Sequence, residues 1–186
     1  SSEIKIPGKH NVENYLAAIT AVWGDVPHEM ICQVAKNFGG VPHRAELVRV
    51  LDGVSYYNDS IGTSPTRTAN GTLQLYDRKI ILIAGGYDKH IPYDTLGPII
   101  MDKVKTLILM GATADKIEAA VKAAPNYCEQ EIVILHADSM EKAVALAKEQ
   151  AQKGDIVSLS PASASFDLYP NFEARGNHFK NIVNEL

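Results

Sequence analysis

Four short runs dominated by Ile, Leu and Val, at 79–84, 106–110, 131–136 and 155–159, alternate with longer segments whose apolar residues recur at helical spacing. Consecutive apolar residues fit strands covered on both faces. Strands separated by helices fit parallel pairing, because parallel neighbours need a crossover that a helix supplies. The helical segments fall at 93–104, at 114–124 with Ile117, Ala120, Val121 and Ala124 on one face, and at 140–152, where Asp138 and Glu141 have the spacing of a capping box. The expected fold is therefore α/β: a Rossmann-like, mostly parallel sheet with helices on both faces.

A helical segment and a β-hairpin precede this alternation. Val12, Tyr15, Leu16, Ile19, Val22 and Trp23 place a helix over 11–23, and Pro27 suits the first position of a second helix that runs to the Gly39-Gly40 stop. Two β-type runs, 47–51 and 54–57, flank Asp52-Gly53, a two-residue hairpin signal. The pattern changes near Gly40, dividing the chain into 1–40 and 41–186. Ser1-Ser2 reads as an expression remnant, and the start at the strand-like 4–6 run reads as a piece of something longer.

Composition narrows the function classes. A net charge of −4 with acids and bases interspersed argues against nucleic acid and anionic membrane as partners. Neither an 18-residue apolar stretch nor a signal-peptide pattern is found, so a cytoplasmic protein is expected. Cys32 and Cys128 lack CxxC spacing and the six histidines lack HExxH spacing, so no disulfide framework or metal site is expected. His136 ends a strand with no partner visible in the sequence.

In parallel sheets ligands collect at the carboxyl ends of the strands. Four polar clusters fall there: Asn58-Asp59-Ser60 with Thr63, then 85–89, 111–113 and 160–167. They offer hydroxyls, a carboxylate, glycines and Lys89, a set that orients a small anion. Gly85-Gly86 reads as a tight turn more readily than a phosphate cradle, and neither GxGxxG nor GxxxxGK[ST] is present. The small residues of 160–165 fit either the opening of a helix whose N–H groups face a ligand or close packing between elements, and the strand-end position favours the ligand slightly.

Five segments in this order, Gly8-Lys9-His10-Asn11-Val12-Glu13-Asn14, Gly40-Val41-Pro42-His43-Arg44-Ala45-Glu46, Asn58-Asp59-Ser60, Gly85-Gly86-Tyr87-Asp88-Lys89 and Ser160-Pro161-Ala162-Ser163-Ala164-Ser165-Phe166-Asp167, the last continuing into Asn171-Phe172-Glu173-Ala174-Arg175-Gly176, resemble the motifs of the Mur ligases. Within that family, the 85–89 and 160–167 segments resemble the D-glutamate-adding branch.

The resemblance implies that 1–40 are the last helices of a central ATPase domain and 41–186 a C-terminal amino-acid-binding domain. It implies an ATP-dependent amide-forming reaction of peptidoglycan precursor synthesis: an acyl phosphate of UDP-N-acetylmuramoyl-L-alanine is attacked by the amine of D-glutamate. Mg ligands and the phosphate loop belong to the central domain, so this piece alone is expected to bind without turnover, as a monomer. By motif position, Thr63, Lys89, Ser165 and Phe172 are implied to meet D-glutamate, and Asn14, Arg44 and Asp59 to meet ATP. The family's lysine after Asn-Asp-Ser is Ile61 here. If Ser64 caps a helix with Pro65 at its first position, Arg67 lies one turn from Thr63 and is expected to replace the missing charge. Two alternatives remain open from the residues: a non-catalytic nucleotide or anion module, and another Mur or folylpolyglutamate synthase-like ligase.

Overall fold

The computed structural model describes Ile4, Ile6 and residues 9–186; Ser1-Ser2, the centre of the 4–6 run and Gly8 of the first motif lie outside the described residues. The chain divides into two compact units, 1–41 and 42–186.

The first unit holds α1 (Lys9–Val22) and α2 (His28–Asn37). Pro27 sits one place earlier than expected, as the N-cap of α2, where its fixed φ of −57° leads into the first turn. Tyr15 and Phe38 meet edge to face with ring centroids 6.5 Å apart. No side chain of α2 is buried, and Leu16, Trp23, Val34 and Phe38 stand exposed.

The second unit is a six-stranded sheet in the order β1-β2-β6-β3-β4-β5: β1 (Glu46–Leu51), β2 (Val54–Asn58), β3 (Ile80–Ala84), β4 (Val104–Leu109), β5 (Val133–His136) and β6 (Ile156–Leu159). Only the β1–β2 hairpin is antiparallel. Its turn has positive φ at both Asp52 (52°) and Gly53 (81°), the primed geometry that follows the right-handed strand twist. The crossovers are α3 (Pro65–Asn70), α4 (Leu96–Lys103), α5 (Ala114–Lys122) and α6 (Met140–Gln150); α7 (Phe172–Glu185) ends the chain.

β3 shows why the sheet is closed on both sides. Ile80, Leu82 and Ala84 enter one core with Leu73, Ile100, Ile117 and Val121, while Ile81 and Ile83 enter the other with Met140, Val144, Phe179 and Val183. Alternate side chains point to opposite faces, so a strand in mid-sheet must be apolar throughout. β5 departs from the expected two-sided burial. It lies at the sheet edge and pairs only with β4, leaving Val133 44% exposed.

Three sequence expectations shift. The cap of α6 is Ser139, whose hydroxyl accepts from the Lys142 N–H at 3.2 Å, so the Asp138/Glu141 pairing is displaced by one residue. The 160–165 segment opens no helix: Ala162 has φ 56° and the chain stays irregular until α7, capped by Asn171 accepting from the Ala174 N–H at 2.7 Å. α7 itself is unmarked in the sequence reading. Ser64, in contrast, caps α3 as expected, with Pro65 in the first turn.

Candidate functional site

Because β2, β6, β3 and β4 are parallel neighbours, the segments following them emerge side by side at one edge. These are 58–63, 160–167, 85–89 and 111–113, the four clusters singled out in the sequence. They are bonded to each other. Gly85 N–H donates to Pro161 O at 2.8 Å and Tyr87 N–H to Ala164 O at 2.9 Å. Gly86 N–H donates to Thr113 Oγ1 at 3.1 Å, and Thr113 Oγ1 continues through Ser163 Oγ (2.8 Å) to Tyr93 OH (2.7 Å). This contact is close enough to require the glycine pair: a Cβ on Gly86 would lie 2.2 Å from Ala164 O, and one on Gly85 2.0 Å from Met110 O. The pair serves packing between strand ends, at positive φ values that glycine adopts freely.

The centre of this edge is Arg175, which the sequence marks only as a member of the 171–176 motif, without a role. It is 2% exposed. Its Nε donates to Ser60 Oγ (2.9 Å), Nη1 to Ser163 O (3.1 Å) and Ala164 O (2.9 Å), and Nη2 to Ser60 O (2.9 Å) and Ser163 O (3.1 Å). Among the described residues no acid forms an ion pair with it. Burial pulls its pKa down to about 10 while the Asp167 carboxylate pushes up through space, so it is charged at neutral pH. An arginine inside a helix reads as a surface residue; only the buried loop carbonyls, which no sequence pattern marks, reveal its place.

The expected site residues take distinct positions. Ser165 is buried, beside Ala164. Phe172 is half-buried at the first turn of α7, edge-on to His43 with centroids 6.0 Å apart, and its carbonyl accepts from Ser60 Oγ at 2.8 Å. Thr63 is half-buried and its N–H donates to Ile61 O at 2.9 Å. Lys89 is exposed, and among the described residues its ammonium has no acid partner. Its neighbour Asp88 is held by Lys116 and by the His90 N–H at 2.8 Å. Hydrogen bonding from Lys116 and then from that N–H keeps the Asp88 carboxyl below its ordinary range.

Asp59 is fully buried. One oxygen accepts from Ala45 N–H (3.1 Å) and lies 3.6 Å from Arg67 Nη2; the other accepts from Ser160 Oγ (3.0 Å) and Thr72 Oγ1. Both oxygens are thus engaged inside the protein, so Asp59 acts on its surroundings through Arg67 and the Ala45 turn. Arg67, expected to face the same region as Thr63, directs its guanidinium to Asp59; its buried Nε has no partner. Arg44 is exposed between His43 (φ 63°) and Ala45 (φ 47°), in a turn pinned by the Ala45 bond to Asp59. Asn14 belongs to the first unit, exposed on α1 and within 3.4 Å of Asn11 Oδ1.

Behind the Arg44 turn, Glu46 accepts from His43 N–H (2.9 Å), Asn58 Nδ2 (3.2 Å) and Lys180 Nζ (2.7 Å). Burial pushes the Glu46 carboxyl up, but Lys180 and the His43 N–H outweigh it and leave the pKa below the ordinary 4.5. A depressed acid stabilises the fold fully above its unfolded pKa and ceases to as pH falls through the lower folded value. In acid titrations followed by circular dichroism, Glu46→Gln is expected to remove part of the stability lost below pH 4.5. Identical acid limbs for both proteins would refute this.

His136 does have a partner: its Nε2 lies 2.6 Å from Glu118, which also pairs with Lys122 at 2.6 Å. With Asp115 these form the group of acid and imidazole side chains, among the described residues, close enough to share an ion, and Glu118 is already occupied by two cationic or hydrogen-bonding neighbours.

Comparison with known proteins gives the family of the chain. Residues 43–163 match the Mur ligase, glutamate ligase domain. A UDP-N-acetylmuramoylalanine--D-glutamate ligase of Clostridium acetobutylicum is 56% identical over 186 residues, covering 99% of this chain and 40% of that protein. The ligase of the same name from Acetivibrio thermocellus is 54% identical over 188 residues, with 100% and 40% covered. The chain thus spans about 40% of the length of the curated relatives it matches. Among solved structures, E. coli FolC in complex with DHPP and ADP superposes with a TM-score of 0.65 at 16% identity, covering 98% of this chain and 41% of that one. A folylpolyglutamate synthase of Mycobacterium tuberculosis gives 0.63 at 14%, with 95% and 41% covered. At such identities the structures share the fold, while the domain match spans well over half the chain: it belongs to the Mur ligase family, by way of the glutamate ligase domain.

Proposed function

We propose that this chain is the amino-acid-binding domain, with the last helices of the central ATPase domain, of a ligase that joins D-glutamate to UDP-N-acetylmuramoyl-L-alanine using ATP. The observation that carries the proposal is Lys89, exposed and without an acid partner among the described residues, at a strand-end edge whose other polar groups are largely bonded to one another. Relatives of that name at 53–56% identity support the choice of amino acid, and the division at 41/42 supports the two-part reading.

In the proposed reaction the amine lone pair of D-glutamate attacks the acyl carbon of a carboxyl phosphate. The carbon–oxygen bond to phosphate breaks, phosphate leaves with the electron pair, and the amine gives up a proton. Acceleration then rests on holding the amine in line and neutralising the carboxylates of the nucleophile. Lys89 supplies the charge, Thr63 and Ser165 donate hydroxyl hydrogen bonds, and Phe172 offers its ring and the free N–H of a helix start. Arg67, one-third exposed and anchored on Asp59, adds positive potential. Arg44 and Asn14 are proposed to meet ATP, with Asp59 fixing the Arg44 turn.

ATP phosphates and their Mg ions are assigned to the central domain, because no GxxxxGK[ST] cradle lies in this chain. We assign it to the cytoplasm as a monomer; among the described residues no helix is long and apolar enough to cross a membrane.

The test is phosphate release by the complete enzyme from ATP and UDP-N-acetylmuramoyl-L-alanine with a panel of amino acids. D-Glutamate is expected to exceed L-glutamate and L-lysine by about 100-fold or more in kcat/KM, since a polar site left unpaired by the wrong isomer discriminates strongly. Equal rates with L-lysine would refute the assignment.

A further inference from the structure

We propose that Arg175 is the positioning residue of the amino-acid pocket: its guanidinium fixes the spacing of the three stretches that carry Thr63, Ser165 and Phe172, and turns the Ser165 N–H towards the carboxylate of the incoming amino acid. The inference rests on the proposed function above for the identity of that ligand, and on geometry for the rest.

The stretches come from distant parts of the sequence, and one side chain joins them. Arg175 reaches Ser60, three residues before Thr63, and Ala164, the neighbour of Ser165; it lies one turn from Phe172 on α7. Ser60 closes the loop by donating to Phe172 O at 2.8 Å.

In a trans peptide the carbonyl and the following N–H point in opposite directions. The Ala164 carbonyl is held by the guanidinium together with the Tyr87 N–H, so the Ser165 N–H points away from both, and among the described residues no acceptor is hydrogen-bonded to that N–H. The Ser165 hydroxyl belongs to the same residue, giving two donors of one residue for one carboxylate.

Electrostatics agree. A buried cation bonded to three carbonyl-bearing residues and one hydroxyl has no ion-paired acid among the described residues and feels only the Asp167 carboxylate through space, so its counter-charge is incomplete. A dicarboxylate amino acid bound above the loops provides it. Lysine cannot do the same work, since its three donors radiate from one atom whereas the planar fork reaches several segments at once.

The experiment compares wild type, Arg175→Met and Arg175→Lys by steady-state kinetics of the complete enzyme and by amide hydrogen exchange. Arg175→Met is expected to raise KM for D-glutamate about tenfold or more while KM for ATP changes less than about twofold, the loss typical of a misaligned charge-assisted contact. Arg175→Lys recovers part of the loss. Exchange is expected to quicken at 61–63 and at Tyr87, Leu168 and Tyr169, whose N–H groups donate to Ala164 O and Ser165 O, in both variants, with α4 and α5 unchanged.

A merely structural role would lower the active fraction and quicken exchange throughout, leaving KM for D-glutamate as in wild type; that result overturns the proposal. Should Arg175→Met fail to fold, Arg175→Lys alone decides, by the same contrast of local against uniform exchange. If wild type itself shows no dependence on D-glutamate yet exchange in the variants quickens only at 61–63, 87 and 168–169, the ligand assignment falls and the positioning role stands.

Discussion

Lys89→Ala in the complete enzyme is expected to reduce kcat/KM for D-glutamate by about 100-fold or more, because it removes a charge that becomes desolvated when paired with a carboxylate, a loss of about 2–5 kcal/mol. Folding should be untouched. Lys89 is exposed and holds no partner among the described residues, so the thermal midpoint of the variant should match wild type. Lys89→Arg should restore part of the activity, and KM for ATP should hold in both variants. Steady-state kinetics with D-glutamate varied at saturating ATP reads all of this. A D-glutamate KM within twofold of wild type for Lys89→Ala would remove Lys89 from the pocket and leave Thr63 and Ser165 without their charged neighbour.

The second large effect is on stability. Asp59→Ala deletes a fully buried carboxylate that serves the Ala45 N–H, Ser160, Thr72 and Arg67 at once. Donors left without an acceptor lose about 1–3 kcal/mol each when buried, but Arg67 is one-third exposed and can reach water, so a total of about 3 kcal/mol is expected rather than the full sum. Urea unfolding of this chain at neutral pH should show an earlier midpoint with an unchanged slope. Asp59→Asn should lose less, since its carbonyl can still accept from two of the donors. A loss under about 1 kcal/mol would mean that water takes over the role of the carboxylate.

The two effects separate the parts of the edge that the sequence disclosed from those it concealed. The parallel sheet was legible because β3 is Ile and Leu up to its closing Ala84 and β4 ends on Leu107, Ile108 and Leu109, and because the Asp52-Gly53 turn admits only a tight hairpin. The strand-end clusters followed from the sheet. Edge placement was not legible: β5 carries the same residue types as β3, and only pairing order exposes Val133. α7 was missed because Arg175 and Gly176 interrupt its apolar pattern. Gly176 is there because a Cβ would lie 2.2 Å from His43 Nδ1, a long-range contact without local signature. In the same way the burial of Asp59, the engagement of both its oxygens and the pairing of Arg67 with it are contacts between distant segments that no local pattern announces. Local periodicity reports which face of an element is apolar; it is silent on which polar side chains cross from one element to another.

Four of the five hydrogen bonds made by Arg175 end on main-chain carbonyls, and only Ser60 contributes a side chain. Every amino acid carries a main-chain carbonyl. Exchange of the side chains of Thr63 and Ser165 therefore leaves every hydrogen bond of Arg175 in place. Under the proposed function, selectivity and architecture are then under separate control, and an engineer seeking a new amino-acid substrate would vary those two side chains while leaving Arg175 and Ser60 alone.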